Sequence, residues 1–253
     1  MKLEISKSYK GSEDQISTFI KKFDLHGELL VGGTRNTLKL FHLNEIILNI
    51  KSFKIPNVIN KVAYRFFRKS KAERSYIYAR YLISKGIGTP LPIGFAEENT
   101  NFYFLRSFYI CEHLESDLTY RTLVQNHDLH DWEGILRAFT RFTFSLHENG
   151  IEFLDHSPGN TLIQLNGGDY KFFLVDLNRM NFKDLNFNDR MKNFSRLTPQ
   201  REMVEIMANE YSRFYHKSEE EVFEKMWFYT TDFQEKFRRK HDLKKRLKFW
   251  KKD

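Results

Sequence analysis

The first half of the chain contains short runs in which hydrophobic and polar residues alternate, a pattern that is typical of β-strands. Residues 28–41 have the pattern of strand, glycine turn and strand, and residues 45–53 form a further run rich in Ile and Leu. The long aromatic run over 102–111 predicts a central strand. Further along, a turn over 166–169 precedes an apolar run over 170–175, which predicts a buried strand.

Other segments repeat their hydrophobic residues every three or four positions, which predicts amphipathic helices. These segments are residues 57–71, with a basic polar face, and residues 72–84, 118–127, 132–148, 208–217, 219–229 and 231–252. Gly150 is expected to end the helix over 132–148 in the left-handed conformation. His147, close to that end, is expected to interact with the helix dipole or to cap the helix rather than to take part in catalysis. Strands in the first half and helices in the second predict an α+β protein.

Composition agrees with a folded protein and removes several classes of function. The 253 residues are 41% hydrophobic and 16% aromatic, which is enough to build a substantial core. Because Cys111 is the single cysteine, an internal disulfide framework and a Cys-rich zinc site are excluded, and the histidines lack metal-ligand spacing. The N-terminus lacks a signal-peptide core, and no run reaches the ~18 apolar residues of a spanning helix. We expect a soluble or peripheral protein in a reducing compartment.

Positive charge is concentrated at the end of the chain. The net charge is +8, and residues 235–253 contain ten Lys or Arg against three acidic residues. Among them lie Phe237, Leu243, Leu247 and Trp250, of which the last three are at helical spacing. A solvated charged tail is the simpler interpretation, but this mixture also fits an anionic membrane surface, with residues 61–69 as a second contact. Nucleic acid is not expected as a partner.

The strongest chemical signal lies in residues 153–178. Asp155 stands five residues before Asn160, and Ser157, Pro158 and Gly159 between them favour a tight loop over a helix. Asp176 ends the predicted strand over 170–175, where a carboxylate is well placed to hold a metal. Such a loop alone is often an ordinary surface turn. A catalytic-loop Asp before an Asn, followed by a metal-binding Asp after a later strand, is however the arrangement of phosphoryl-transfer enzymes.

The first half supplies candidates for phosphate binding. Between the strands of residues 28–41, glycines allow a close backbone approach and polar side chains supply donors: Gly32, Gly33, Arg35 and Asn36. An ordinary hairpin is the alternative. Lys51, near the end of the next strand, is the candidate for the lysine that holds the nucleotide phosphates, and Lys54 is the competing choice.

Two carboxylates complete the candidate nucleotide site. Glu73 is the only one in the segment where a kinase places the partner of its lysine, although it lies about a turn earlier than expected. Glu112 lies in the segment 111–114, which is expected to connect the two lobes of a kinase. Backbone groups in that segment would bind the adenine edge.

Together these motifs resemble the lipopolysaccharide core kinases, the Kdo and heptose kinase family of Gram-negative bacteria. The resemblance covers residues 29–182 and is most specific at 155–160 and at Asp176-Leu177-Asn178-Arg179. It implies a two-lobed protein-kinase-like domain over 1–253, with a β-rich N-lobe over 1–112 and an α-rich C-lobe over 113–253. Phe153-Leu154 departs from the family's His-Arg or His-Gly, which removes a structural hydrogen bond but no catalytic atom.

The same resemblance implies the reaction and its residues. ATP with Mg²⁺ would be the donor, and a sugar hydroxyl on a lipid-anchored oligosaccharide would be the acceptor. Asp155 would be the catalytic base, Asn160 and Asp176 the metal ligands, and Lys51 the phosphate-holding lysine. A monomer on the cytoplasmic face of the inner membrane is expected.

Two other classes of function remain open. One is a kinase of another small molecule or of protein, and the other is a non-catalytic module with the same fold. The segment after Asp176 is short and lacks an Ala-Pro-Glu signal, which weighs against protein substrates. The presence of Asp155, Asn160 and Asp176 argues against a non-catalytic module.

Overall fold

The computed structural model describes residues 1–33, 36–53, 68–100 and 102–249, with side chains up to residue 245. The chain divides into two compact units. The first unit comprises Met1–Glu115 and Phe173–Arg179, and the second comprises Ser116–Phe172 and Met180–Asp253. The division after residue 115 lies near the lobe boundary predicted at residue 112, and a short segment around Asp176 is grouped with the first unit.

The first unit is built on a six-stranded sheet. Its strands are β1 (Lys2–Ile5), β2 (Glu28–Val31), β3 (Asn36–Leu43), β4 (Ile46–Phe53), β5 (Pro92–Asn99) and β6 (Phe104–Glu112). They are arranged in the order β1-β5-β6-β4-β3-β2, and every neighbouring pair is antiparallel. The strands predicted over 28–41, 45–53 and 102–111 are confirmed. β5 was not predicted, because Pro92 and Gly94 within it favour a loop.

Two helices accompany this sheet. α1 (Glu13–Lys21) buries Ile16 and Ile20 against the sheet residues Phe41 and Phe108. α2 (Lys71–Ser84) begins after Ser70, whose Oγ accepts a hydrogen bond from the Glu73 backbone N–H and so caps the helix. The helix predicted over 72–84 is thereby confirmed. Residues 57–67 of the helix predicted over 57–71 lie outside the described residues. Its predicted end is wrong, because residues 68–70 are not helical and Lys71 is the first residue of α2.

The second unit is mainly helical. Its helices are α3 (Tyr120–Gln125), α4 (Trp132–Glu148), α5 (Phe187–Asn193), α6 (Arg201–Ser212) and α7 (Glu219–Phe249). The helix predicted over 132–148 has the bounds of α4. Two other predictions are wrong in part: the segments 219–229 and 231–252 form one helix, and the helix predicted over 208–217 begins at Arg201 and ends at Ser212. Leu118 and Thr119, predicted as helical, form a short strand before α3.

Five short strands pass between these helices or lead out of the unit. They are β7 (Leu118–Thr119), β8 (Ile151–Phe153), β9 (Thr161–Asn166), β10 (Asp169–Leu174) and β11 (Met180–Phe182). β10-β9-β7 form one sheet and β11-β8 another. Gly167 and Gly168, with φ of +57° and +105°, form the predicted turn before β10, and Gly150, with φ of +67°, follows α4 as expected. The core centres on aromatic and aliphatic residues of α4, α5 and α6, among them Phe139, Phe194, Met207 and Tyr211.

The candidate residues Asp155, Asn160 and Asp176 lie close to the ends of β-strands. β8 ends two residues before Asp155, and β9 begins directly after Asn160. β10 ends two residues before Asp176. In the part of the chain that the structure describes, no helix combines the length and the apolar composition that crossing a membrane requires.

Candidate active site

The described candidate residues fall into two groups, one in each unit, and the first group centres on Lys51 and Asp176. Lys51 projects from β4, and its Nζ lies 2.7 Å from Asp176 Oδ1. The two side chains are 13% and 29% exposed, so the ion pair is largely shielded from water. A shielded charge-assisted hydrogen bond is stronger than one on the open surface.

The backbone around Asp176 is held firmly on both sides. Leu174 donates its N–H to Gly88 O at 2.9 Å and accepts a 2.8 Å hydrogen bond from Thr89 Oγ1. Asp176 itself has a φ of +59°, in the left-handed region that residues other than glycine rarely adopt. Asn178 Nδ2 donates to Asp176 Oδ1 at 2.6 Å. Both partners contact Oδ1, and no described residue forms a hydrogen bond to Oδ2.

A second lysine, which sequence reasoning assigned only to the end of an amphipathic helix, lies beside this pair. Lys71 Nζ lies 5.9 Å from the ring centroid of Phe53, and Lys51 Nζ lies 5.2 Å from the same ring. Burial lowers the pKa of Lys71, and the charges of Arg179, Arg74 and Lys51 lower it further, whereas Asp176 raises it. Two lysines, Lys51 and Lys71, therefore act on the Asp176 carboxylate, and such a pair of cations favours a polyanion such as a nucleotide.

The glycine hairpin is present, but its glycines are not strained. Gly32 and Gly33 lie between β2 and β3 without positive φ, and a Cβ at Gly33 would meet only Asn36 O at 3.6 Å. Asn36 begins β3, and its Oδ1 is buried without a hydrogen-bond partner among the described residues. Arg35 and Lys54, two of the candidates, lie outside the described residues.

Glu73 is the third residue of α2 and takes part in capping through its backbone. Among the described residues it forms no ion pair within 4.0 Å, and Lys51 pairs with Asp176 instead.

Glu112 ends β6, and Tyr9 Oη donates a hydrogen bond to its Oε1. Burial, followed by this hydrogen bond and the charge of Glu112, raises the pKa of Tyr9 to about 12. The backbone N–H of Glu112 donates to Leu91 O at 2.9 Å, and that of His113 donates to Ile47 O at 2.7 Å. These bonds fix the segment that is predicted to accept adenine.

The second group is the loop 155–160. Asn160 Nδ2 donates to Asp155 O at 2.8 Å and to Ser157 Oγ at 3.3 Å, and its backbone N–H donates to Ser157 O at 2.9 Å. The loop is therefore tied across its own ends, as the Pro-Gly sequence predicts. Both Asn160 amide hydrogens point into the loop, and no described residue donates to its Oδ1. Asp155 Oδ1 lies 2.8 Å from Arg196 Nη1, a contact that no local sequence pattern indicates.

Two histidines of this unit are buried and neutral. His147 lies between Tyr211 Oη, 2.9 Å from Nδ1, and Asn193 Oδ1, 3.2 Å from Nε2. His156 follows Asp155 and packs between Phe139 and Phe153 without a hydrogen-bond partner among the described residues. Burial lowers the pKa of each to about 3. Both ring nitrogens of His147 contact Tyr211 and Asn193 and not the end of α4, so its side chain does not cap that helix, and burial disfavours the charge that an interaction with the dipole needs.

Each of the two candidate metal ligands can supply an oxygen of the kind that Mg²⁺ binds. In the described residues, no cluster of three or more His, Cys, Asp or Glu side chains forms a dedicated metal cage. Mg²⁺ usually needs no such cage, because it binds through one or two protein oxygens together with the phosphates of its nucleotide. Asp176 Oδ2 and Asn160 Oδ1 are oxygens of the required kind, and neither accepts a hydrogen bond from a described residue.

Comparison with known proteins gives a family and a fold. Residues 56–217 match the family model described as the lipopolysaccharide kinase (Kdo/WaaP) family. Among solved structures, the chain is similar to one titled "WaaP in complex with acyl carrier protein", with a TM-score of 0.63 and 15% sequence identity. The similarity covers 93% of this chain and 98% of that one, and it gives a protein-kinase-like fold with a sheet lobe and a helical lobe. A search of curated protein sequences found no match.

Proposed function

Because the chain belongs to the lipopolysaccharide kinase (Kdo/WaaP) family, and is therefore a kinase, we propose that it phosphorylates a sugar of the lipopolysaccharide inner core. The donor is ATP with Mg²⁺, and the acceptor is a hydroxyl of Kdo or heptose on a lipid-linked oligosaccharide. The single observation that carries this proposal is the Lys51–Asp176 pair at 2.7 Å. It holds together the two kinds of group, a lysine and a metal-binding carboxylate, that phosphoryl transfer requires near the phosphates.

In this proposal the first unit binds the nucleotide. Lys51 contacts the α- and β-phosphates, Asp176 and Asn160 supply oxygens to Mg²⁺, and Glu112 lies in the segment that meets adenine. The glycine hairpin covers the phosphates through its backbone and through the polar residues that follow, which are Gly32, Gly33, Arg35 and Asn36. Mg²⁺, when bound, neutralises charge that develops on the transferring phosphoryl group. Glu73 remains the predicted carboxylate partner of Lys51.

The Asp155 carboxylate performs the proton transfer. It accepts the proton of the acceptor hydroxyl as the hydroxyl oxygen bonds to the γ-phosphorus, and ADP leaves with the electron pair of the broken P–O bond. The hydrogen bonds that tie the loop 155–160 across its ends support this role, since they hold the carboxylate's backbone in one conformation. Holding reacting groups in place supplies much of the rate of such enzymes.

The proposed place of action is the cytoplasmic face of the inner membrane, where a lipid-linked acceptor is presented. The protein is proposed to act as a monomer and to associate reversibly with anionic lipid through its basic C-terminal segment, residues 236–252. Of residues 61–69, a proposed second contact, residues 61–67 lie outside the described residues. The similar solved structure contains acyl carrier protein, which is therefore an alternative partner for this segment.

A direct assay tests the function. Purified protein is incubated with γ-labelled ATP, Mg²⁺ and unphosphorylated lipopolysaccharide precursors that carry Kdo alone or Kdo with heptose, both intact and deacylated. We expect label in the sugar of one acceptor series and none without Mg²⁺. Label in a protein substrate but in neither glycan would favour the protein kinase alternative. Nucleotide binding without transfer to any acceptor would favour a non-catalytic module.

A further inference from the structure

The two carbonyl groups before Asp155 are held by side chains from a distant part of the second unit. Asn193, at the end of α5, donates from Nδ2 to Phe153 O at 2.9 Å. Arg196 donates from Nη1 to Leu154 O at 3.0 Å. Both hydrogen bonds to the backbone carbonyls directly before Asp155 are therefore supplied by the segment 193–196.

Arg196 also contacts the carboxylate that follows. Its Nη1, which donates the hydrogen bond to the Leu154 carbonyl, also lies 2.8 Å from Asp155 Oδ1 and forms an ion pair with that carboxylate. Asp155 is 21% exposed, and this close ion pair restricts the rotation of its side chain. With Oδ1 engaged, Oδ2 is the oxygen that remains to accept a proton from the acceptor hydroxyl.

Arg196 is itself supported by its surroundings. Its guanidinium carbon lies 5.6 Å from the ring centroid of Phe233 on α7, which gives a cation–π contact. Asn193, three residues earlier, is uncharged. It is held in place by the buried His147, whose Nε2 lies 3.2 Å from Asn193 Oδ1. The bridge thus connects loop 155–160 to the helical core on one side and to α7 on the other.

We propose that Arg196 is a positioning residue for phosphoryl transfer, which orients the Asp155 carboxylate by bridging it to the Leu154 carbonyl. This inference rests on the proposed function, in which Asp155 is the catalytic base. Arg196 takes no proton in the reaction, because a guanidinium stays protonated at all relevant pH values. Its effect on rate arises through geometry, and a misplacement of about 1 Å can lower a rate by about 100-fold.

Two substitutions and a matched control test this role. Arg196→Gln keeps an N–H donor for the Leu154 carbonyl and loses the charged bridge, and Arg196→Lys keeps the charge and loses the planar fork. Arg201→Gln is the control, because Arg201 is also an arginine of this unit with a carboxylate at 2.8 Å, Glu205, and an aromatic ring at 5.0 Å, Phe223. Turnover, KM for ATP and melting temperature are measured for each.

We expect Arg196→Gln to lower kcat by about 10- to 100-fold while KM for ATP changes by less than about twofold, because the nucleotide contacts are untouched. Arg196→Lys should recover part of the rate, and Arg201→Gln should behave as wild type. A merely structural role would instead lower the melting temperature and change KM and kcat together. A kcat of Arg196→Gln within about twofold of wild type would overturn the proposal.

A double-mutant cycle separates action through Asp155 from independent action. In an Asp155→Asn background, Arg196→Gln should lower the remaining rate by less than about twofold, since its target is already lost. A full additional loss would overturn the proposal. If wild-type protein transfers no phosphate to the glycan acceptors, the proposed function fails. The same cycle is then measured on ATP hydrolysis, in which water replaces the acceptor hydroxyl, so that the role of Arg196 is still decided.

Discussion

Lys51 Nζ lies 2.7 Å from Asp176 Oδ1, although the two residues are 125 positions apart in the chain. The contact forms within the first unit, because Phe173–Arg179 belong to that unit together with β4. In the proposed function, a lysine that neutralises phosphate charge and a carboxylate that binds the accompanying metal act on the same phosphates. The contact places the candidates for these two roles side by side.

Substitution of Lys51 should weaken binding of ATP much more than binding of adenosine. Only ATP carries the negative charge that the ammonium contacts, so Lys51→Ala removes a charged hydrogen bond in one complex and nothing in the other. Titration calorimetry with both ligands measures the difference. Lys10→Ala is the control, since Lys10 is an exposed lysine of the same unit that pairs with Glu13 at 3.1 Å.

Two results would contradict the role of Lys51. Equal losses of affinity for ATP and adenosine would show that the side chain stabilises the fold instead of binding phosphate. A selective loss of ATP affinity in Lys54→Ala, with little change in Lys51→Ala, would transfer the phosphate contact to the competing lysine.

Substitutions of Asp155 and of Asp176 should have different effects on turnover and on ATP binding. Asp176→Asn should abolish turnover by weakening Mg²⁺ binding, whereas Asp155→Asn should leave ATP affinity intact and lower kcat by about 100- to 10,000-fold, the usual contribution of a general base. ATP affinity with and without Mg²⁺, and turnover, are measured for both. Asp232→Asn, which alters only a surface pair with Lys236, is the control. A near wild-type rate for Asp155→Asn would show that another group takes the proton.

The candidate residues that the sequence offered are those whose spacing along the chain forms a pattern. Asp155 and Asn160 share one short loop. Asp176 follows β10, which is not the buried strand that was predicted, since only Phe172 and Leu174 of its six residues are buried. Arg196 and Lys71 could not be found in this way. Arg196 contacts Asp155 across 41 positions, and Lys71 lies beside Lys51 only after α2 has packed on the sheet, so both roles depend on tertiary structure.

Tertiary structure also decides the boundaries of the helices, which the sequence alone did not predict fully. Thr230 and Thr231 interrupt the hydrophobic period and lower helix propensity, which suggested a break between two helices. The structure forms one helix, α7, because Val222 and Met226 before the pair are fully buried in the core of the second unit and Thr231 Oγ1 bonds back to Trp227 O at 2.9 Å. Tertiary packing thus outweighed local propensity.

Stability should fall as the pH decreases below about 6.5, the ordinary pKa of histidine. Burial lowers the pKa of His147 and of His156 to about 3, with added effects of Arg190 on His147 and of His147 and Arg196 on His156. Between these pKa values the unfolded chain binds protons that the folded chain excludes, so each histidine lowers the free energy of unfolding by about 1.4 kcal/mol per pH unit.

Denaturant unfolding at pH 7.0, 6.0 and 5.5 measures this slope. His156→Leu should reduce it by about half, and at pH 7 the variant should be at least as stable as wild type, because an apolar side chain replaces a buried ring with no hydrogen-bond partner among the described residues. His241→Leu, at an exposed position, is the control and should leave the slope unchanged. An unchanged slope in His156→Leu would show that this ring is protonated in the folded protein.

Lys71 should contribute to nucleotide binding less than Lys51 does. It lies over the same Phe53 ring at 5.9 Å, but it is not directly paired with Asp176 among the described ion pairs. We expect Lys71→Ala to weaken ATP by about tenfold, roughly the value of one charged hydrogen bond, and to leave adenosine unchanged. Lys85→Ala is the matched control, because Lys85 follows the other end of α2 and lies 5.7 Å from the Tyr81 ring. Unchanged ATP affinity in Lys71→Ala would exclude this lysine from the phosphate site.

The basic end of α7 should bind anionic membranes in a salt-dependent way. Phe237 and Leu243 are 61% and 59% exposed on this helix, beside Lys and Arg residues. Near an anionic surface each Lys or Arg contributes ~1 kcal/mol, so a few of them hold a protein reversibly. The full chain and a chain without residues 236–253 are sedimented with anionic and with neutral vesicles at low and high salt. We expect binding only by the full chain, only to anionic vesicles, and mainly at low salt.

A second variant separates charge from helix length. Replacing Lys236, Arg238, Arg239 and Lys240 by Gln keeps the helix and the exposed Phe237 but removes four positive charges, and should lower vesicle binding almost as much as the truncation does. Transfer to a deacylated, soluble acceptor should be unchanged in this variant, because the charges act on the membrane and not on the reaction. Vesicle binding that neither salt nor truncation alters would remove the tail from the mechanism. Binding of acyl carrier protein that depends on these charges, in the absence of vesicle binding, would instead identify the tail as a protein contact.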